Sequence, residues 1–275
     1  MDLSTATNIL HNLQTKNVCE ILILSGEVHP HSPQRQHWLQ RIYDLCALAL
    51  NMGFLPHTNA GILSFAEMQK LKQVNVSMGL MLEQLTPQLL QTVHQHAPSK
   101  LPALRLQQLE WAGELQIPFT TGLLLGIGET ENDRWETLEA IAQIHQQYHH
   151  IQEVILQPHS PGTQQSWDAV AFDPYKLPEI IHQARQILPT EISIQIPPNL
   201  VHDKQWLIAC VEAGARDFGG ISPKDEVNPD YPHIQAQELQ EILQTAKWNL
   251  IPRLPVYPQF TAWLSPELQT AARNH

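Results

Sequence analysis

From end to end the chain alternates between two kinds of segment. Short apolar runs close in small or polar residues, and longer stretches between them repeat their apolar residues every three or four positions. That alternation is the pattern of parallel strands joined by crossover helices. The strand candidates are "EILILSG" (20–26), "GFLPHTNAG" (53–61), "VNVSMGLML" (74–82), "PFTTGLLLGIG" (118–128), "QEVILQ" (152–157), "ISIQIPP" (192–198) and "ARDFGGIS" (215–222). Several are apolar nearly throughout, as strands covered on both faces are, with ligand groups expected at their carboxyl ends. Between them, Trp38, Ile42, Leu45 and Ala49 mark one helix closing at Gly53, and Trp135, Leu138, Ile141, Ile144 and Tyr148 mark another; such stripes face a core. Segments 102–117, 173–188, 203–213 and 234–247 supply further helices.

No linker, repeat or low-complexity run divides the 275 residues, so one domain spanning 1–275 is expected, with a short carboxyl extension over about 248–275. The leading stretch "LSTATNILHNLQTK" reads as a helix ahead of the first strand candidate. In a (β/α)8 barrel each helix follows its strand. The α/β fold expected is therefore a (β/α)8 TIM-barrel whose first strand lies outside this polypeptide, with a weakened edge where that strand would pair.

The formal net charge is -11, with only 16 Lys and Arg against 27 Asp and Glu. A nucleic-acid partner, which needs clustered cations, is excluded. The longest apolar runs fall far short of the roughly 18 residues that read as a membrane span, and residues 1–20 lack the form of a signal peptide. A soluble, cytoplasmic chain is expected. Cys19, Cys46 and Cys210 are too scattered for a disulfide framework or a CxxC knuckle and read as packed thiols. The histidines of "HQH" (94–96) and "HH" (149–150) lie in polar stretches without a ligand-rich neighbourhood and read as surface residues; no metal ligand is assigned.

Three strand ends carry groups that suit a small-molecule ligand. In "TGLLLGIGETENDR" (121–134), Gly126 and Gly128 begin a dinucleotide pattern, but Glu131 stands where its third glycine belongs. Glu129 and Glu131 would also repel a pyrophosphate. Thr130 as N-cap with Asp133 as its capping-box partner explains the acidic helix start, while glycines beside a carboxylate suit an amine or hydroxyl ligand. Gly26 and Glu27 follow the first strand. Under strict alternation Asn75, Ser77, Gly79 and Met81 share one face, with Glu83 at the end. These groups suit an amino acid joined to a ribose, and each alone reads equally well as a surface turn.

Together, "GFLPHTNAG", "VNVSMGLMLE", "IPFTTGLLLGIGETENDR", "HIQEVILQ", "IQIPPNL", "DFGGISP" and the tail "RLPVYPQF" give a resemblance along essentially the whole chain. It resembles the radical S-adenosylmethionine (SAM) enzymes, and among them the CofG component of deazaflavin FO synthase. The resemblance implies that Gly26 and Glu27, behind Ser25, stand for a GGE motif holding the methionyl amine. Gly122, Gly126 and Glu129, with Leu124, match a GxIxGxxE wall of the SAM site. Asn75, Ser77 and Glu83 lie on the strand that contacts ribose and methionine, and Leu156 on the strand passing the adenine. His57, Asn59, Gln195 and Asn199 are candidate substrate contacts from their places near strand ends; no catalytic residue is assigned.

The family holds a [4Fe-4S] cluster with CxxxCxxC in the loop after strand one, and this chain contains no such motif. Two helical cysteines and one ahead of a strand do not form a converging cage. The resemblance thus implies a SAM-dependent FO-forming lyase in coenzyme F420 biosynthesis, supplied with its adduct by a companion CofH subunit. This chain, with Met1 an internal or misassigned start or the gene truncated, is expected to be inactive alone. A SAM- and substrate-binding pseudoenzyme or partner subunit is the alternative. An unrelated aldolase or isomerase barrel, with a phosphate site at "DFGGIS" (217–222), is a further one.

Overall fold

The computed structural model describes residues 1–16, 18–161, 172–201, 203–219, 221 and 234–275. Helix α1 (Leu3–Leu13) leads, and β1 (Glu20–Leu24), α2 (Arg35–Asn51), β2 (Leu55–Asn59), α3 (Phe65–Lys72) and β3 (Ser77–Gly79) follow. Then come α4 (Pro102–Glu114), β4 (Phe119–Leu125), α5 (Glu131–Tyr148), β5 (Ile151–Pro158), α6 (Leu177–Ile187), β6 (Ser193–Ile196), α7 (Lys204–Ala213), β7 (Asp217–Phe218), α8 (Ala236–Thr245) and α9 (Pro266–Arg273).

The strands form one sheet in sequence order β1 to β7, every adjacent pair parallel. Among the described residues β1 and β7 are its two edges, so the wall is an open arc of seven strands. The seventh candidate strand ends at Phe218, and Gly220 and Ser222 of its expected extent lie outside the described residues. Outward positions such as Leu123, Val154, Leu156, Ile194 and Ile196 are fully buried against the helices. At about 25 cal/mol per Å², this burial dominates the stability of the wall. On β1 the inward Leu22 and Leu24 each remain 49% exposed, because no strand packs across from them among the described residues.

Local chemistry sets the helix starts. Thr130 Oγ1 accepts from Asp133 N while Asp133 Oδ2 accepts from Thr130 N, the reciprocal box expected for α5. Ser64 and Glu67 do the same for α3.

The carboxyl segment runs under the barrel rather than along its side. Val256, Phe260, Leu264 and Leu268 pack on Leu55 and Val76 at the amino ends of β2 and β3. That face is opposite the strand carboxyl ends where ligands are expected. No helix among the described residues is long and apolar enough to cross a membrane.

Candidate functional site

A cavity of about 390 Å³ opens at the carboxyl ends of β1, β2 and β3, lined by Leu24 to Glu27, Asn59, Gly61, Leu80, Met81, Glu83, Lys100 and Arg105. Its volume is that of a small-molecule site. Of the residues singled out in the sequence, Gly26, Glu27, Asn59 and Glu83 meet here.

Four charges face one another across it. Arg105, its side chain 3% exposed, comes up from α4 with a guanidinium nitrogen 3.7 Å from Glu27 Oε1 and another 3.9 Å from Glu83 Oε1. It also donates to the backbone oxygens of Met81 and Ser99. Lys100 pairs with Glu83, and His94 Nε2 lies 3.1 Å from Glu83 Oε2. Burial alone would raise the Glu83 pKa, but His94, Lys100 and Arg105 outweigh it and hold the carboxyl at about 2. Glu83 has a left-handed backbone, φ 65°, and bridges to Leu123 of β4. Glu27 fits because residue 61 is glycine: a Cβ there would stand 2.2 Å from Glu27 Cγ, and Gly61 has φ +72°.

Lys100, Arg105 and His94 carry much of this electrostatics; the sequence reading singled out neither cation and took His94 for a surface residue. His94 pairs with Glu83 through a side chain only 10% exposed, and is not a surface histidine. His150 is likewise fully buried, packed by Phe119 and Tyr148. The signal for Lys100 and Arg105 was only two cations in a segment following a strand-end glutamate.

The GxIxGxxE segment behaves differently from its expected role. Glu129, with a fully buried side chain, accepts from Gly126 N and Ile127 N at 2.8 Å each and from Arg134 Nε at 2.8 Å. It folds onto its own loop and does not line the cavity. Gly126, at φ +89°, makes the turn that brings those amides to one carboxylate. At Gly122 a Cβ would sit 2.3 Å from Ile155 O, so glycine is required by the neighbouring strand. Leu156 points outward into the helix layer, leaving only its backbone on the barrel side.

Asn75 does not share a face with Ser77. It precedes the ladder of β3 and its amide bonds Thr58 Oγ1 (2.7 Å), Leu71 O and Cys46 on the helix side. The alternation holds only where strand pairing holds, at Ser77–Gly79. Ser77 faces the lumen, donating to Pro255 O at 2.6 Å and lying 2.7 Å from His57 Nδ1. Because the serine proton goes to the carbonyl, His57 carries its own on Nδ1. Burial, aided by Arg253, lowers His57 to about 4. Gln195 is also in the lumen, 2.8 Å from Glu153 Oε2. Asn199 is buried in the 3₁₀ turn Pro198–Leu200 beyond β6.

The cysteines do not fit an iron-sulfur cluster. Cys46 is buried in α2 on Thr58 and Asn75, Cys210 is buried in α7 with its thiol pushed up to about 12, and Cys19 precedes β1. No group of three His, Cys, Asp or Glu among the described residues is placed to hold a metal ion.

No family model matches the chain. Full-length comparison is decisive: it is 77% identical over 274 residues to the 7,8-didemethyl-8-hydroxy-5-deazariboflavin (FO) synthase of Trichormus variabilis, covering 100% of this chain and 81% of that protein. It is 63% identical to the same-named protein of Thermosynechococcus vestitus, covering 100% of this chain and 87% of that one. The fold is similar to that of methylornithine synthase PylB (TM-score 0.63, 12% identity, 89% of this chain and 71% of that one). It is also similar to Streptococcus suis SuiB (TM-score 0.54, 12% identity, 98% and 60%). An open parallel barrel wall with a charged cavity at its strand carboxyl ends, in a sequence this close to those synthases, belongs to the FO synthase family.

Proposed function

We propose that this chain is the SAM- and substrate-holding barrel of the FO-forming reaction. The observation that carries it is the convergence of Glu27, Glu83, Lys100 and Arg105 on one cavity in a chain 77% identical to an FO synthase. Two carboxylates and two cations suit a zwitterionic amino-acid head: Glu27 accepts from the α-ammonium, and Lys100 and Arg105 donate to the α-carboxylate. Asn59, on the inward face of β2, is placed for ribose hydroxyls. The family's reaction closes the deazaflavin ring of a ribityl-aminouracil adduct with loss of ammonia, and the barrel's share is to orient SAM and substrate and exclude water.

The family's [4Fe-4S] chemistry has no holder among these three cysteines, so the reading for this chain is binding without turnover on its own. A companion CofH subunit supplying the adduct, and a cytoplasmic setting, belong to the same proposal.

Calorimetric titration with SAM tests it. The 275-residue chain should bind SAM at one site, and Glu27→Gln should weaken binding by about tenfold or more, the loss of one charge-assisted hydrogen bond. No binding, or binding indifferent to Glu27, would overturn it.

A further inference from the structure

Barrel interiors are usually filled by layers of branched apolar side chains. Here strands β2 to β7 each turn a polar residue inward at mid-depth: His57, Ser77, Thr120, Glu153, Gln195 and Asp217, all at most 8% exposed. In this belt His57 and Ser77 form one bonded pair, and the other four form a connected chain. Thr120 Oγ1 lies 3.3 Å from Glu153 Oε2, and Gln195 Nε2 donates to Glu153 Oε2 at 2.8 Å and to Asp217 Oδ1 at 3.4 Å.

The belt is completed from outside the wall. Arg253, on the carboxyl segment that runs beneath the barrel, pairs with both Glu153 and Asp217. Tyr257 donates its hydroxyl to Asp217 Oδ2 at 2.6 Å. Two carboxylates around one guanidinium are costly to bury and are weak evidence for stability. Burial, with the carboxylates of Asp217 and Glu20, pushes the Glu153 pKa up against the pull of Arg253. The Arg253 side chain is still 32% exposed, while Glu153 and Asp217 are buried beside it.

The belt lies directly below the charged cavity. His57 is two residues before Asn59 on β2, a step of about 7 Å along a strand.

We propose that Glu153, Asp217 and Arg253 form the floor of the site for the second substrate, and that Arg253 makes the carboxyl segment a specificity element for it. The ligand this floor fits is an uncharged ring with an imide edge and a hydroxylated side chain. Arg253 donates to a ring carbonyl, and the carboxylates accept from hydroxyls. Two acids facing one guanidinium disfavour a phosphorylated ligand. The inference rests on the FO synthase reading, which supplies the ring.

Equilibrium dialysis of the full chain against FO, beside calorimetry with SAM, tests it. Glu153→Gln leaves one carboxylate per guanidinium and keeps the shape; Arg253→Gln removes the cation. Each should weaken FO at least tenfold while SAM affinity stays within twofold. Unchanged FO affinity in both variants overturns the proposal. Equal loss of FO and SAM binding with a lowered melting temperature also overturns it, since that is a purely structural role. Wild-type chain that binds SAM but not FO overturns this inference and leaves the family reading standing. A chain that binds neither overturns both.

Discussion

Glu129 offers a sharp perturbation because its sequence motif and its geometry point to different roles. Its carboxylate, with no exposed surface, is the common acceptor for two backbone amides and Arg134. Removing one partner of such a buried pair costs about 3–5 kcal/mol, chiefly through the groups left behind. The amides of Gly126 and Ile127 share that loss at about 1–3 kcal/mol each when buried without an acceptor. Glu129→Ala should therefore lower stability by about 3–5 kcal/mol, a large part of the 5–15 kcal/mol typical of a domain. With a urea slope of about 3 kcal/mol per M, the midpoint should fall by about 1–1.7 M. Glu129→Gln, which keeps one acceptor oxygen, should lose less than half as much. Because the carboxylate does not reach the cavity, SAM affinity of the folded variant should change by less than about threefold, under 0.7 kcal/mol. Urea unfolding followed by circular dichroism, with calorimetry on the same samples, gives both numbers. An unchanged midpoint with SAM binding lost would refute the reasoning and restore Glu129 to the pocket wall.

Other outcomes follow from the same geometry. Gly61→Ala should displace Glu27, because the new methyl meets Glu27 Cγ at 2.2 Å, so SAM affinity should fall in calorimetry. His57 and His150 are lowered by burial to about 4 and about 3. Their neutral forms stabilise the fold fully above pH about 6.5, and that stability is lost as pH falls toward those values, at up to about 1.4 kcal/mol per pH unit per proton. Chemical unfolding at pH 7 and pH 4.5 should show the loss, and His150→Phe should flatten it. Glu83, held at about 2, contributes stability present above its unfolded value near 4.5 and lost as pH falls through about 2. Glu83→Gln should therefore remove the steepest part of the acid transition below pH 4.5. Anaerobic reconstitution of this chain with iron and sulfide should yield no stable four-iron absorbance; its appearance would contradict the placement of Cys19, Cys46 and Cys210.

Period and punctuation made the architecture legible. Apolar runs such as "ILIL" and "GLLL" against three-and-four helical stripes gave seven strands in order, and the Thr130–Asp133 cap is where the residue types placed it. Alternation failed at Asn75 because the ladder of β3 is only three residues long, and outside pairing nothing holds side chains to a two-residue period. Glu27 and Glu83 were found from strand ends. Lys100, Arg105 and His94 were not, since a long connection with two 3₁₀ turns brings them back over the cavity, and no local pattern encodes that return. Arg253 was hidden for the same reason: only the packing of Val256 and Phe260 under β2 and β3 shows that the tail enters the barrel floor.

The most direct test of the central claim is a crystal structure of this chain with SAM bound. The account predicts the methionyl nitrogen within about 3 Å of the Glu27 carboxylate, its carboxylate toward Lys100 and Arg105, and Glu129 still closed on Gly126 and Ile127. SAM seated instead against Gly126 and Glu129, with the cavity between Glu27 and Glu83 empty, would contradict it.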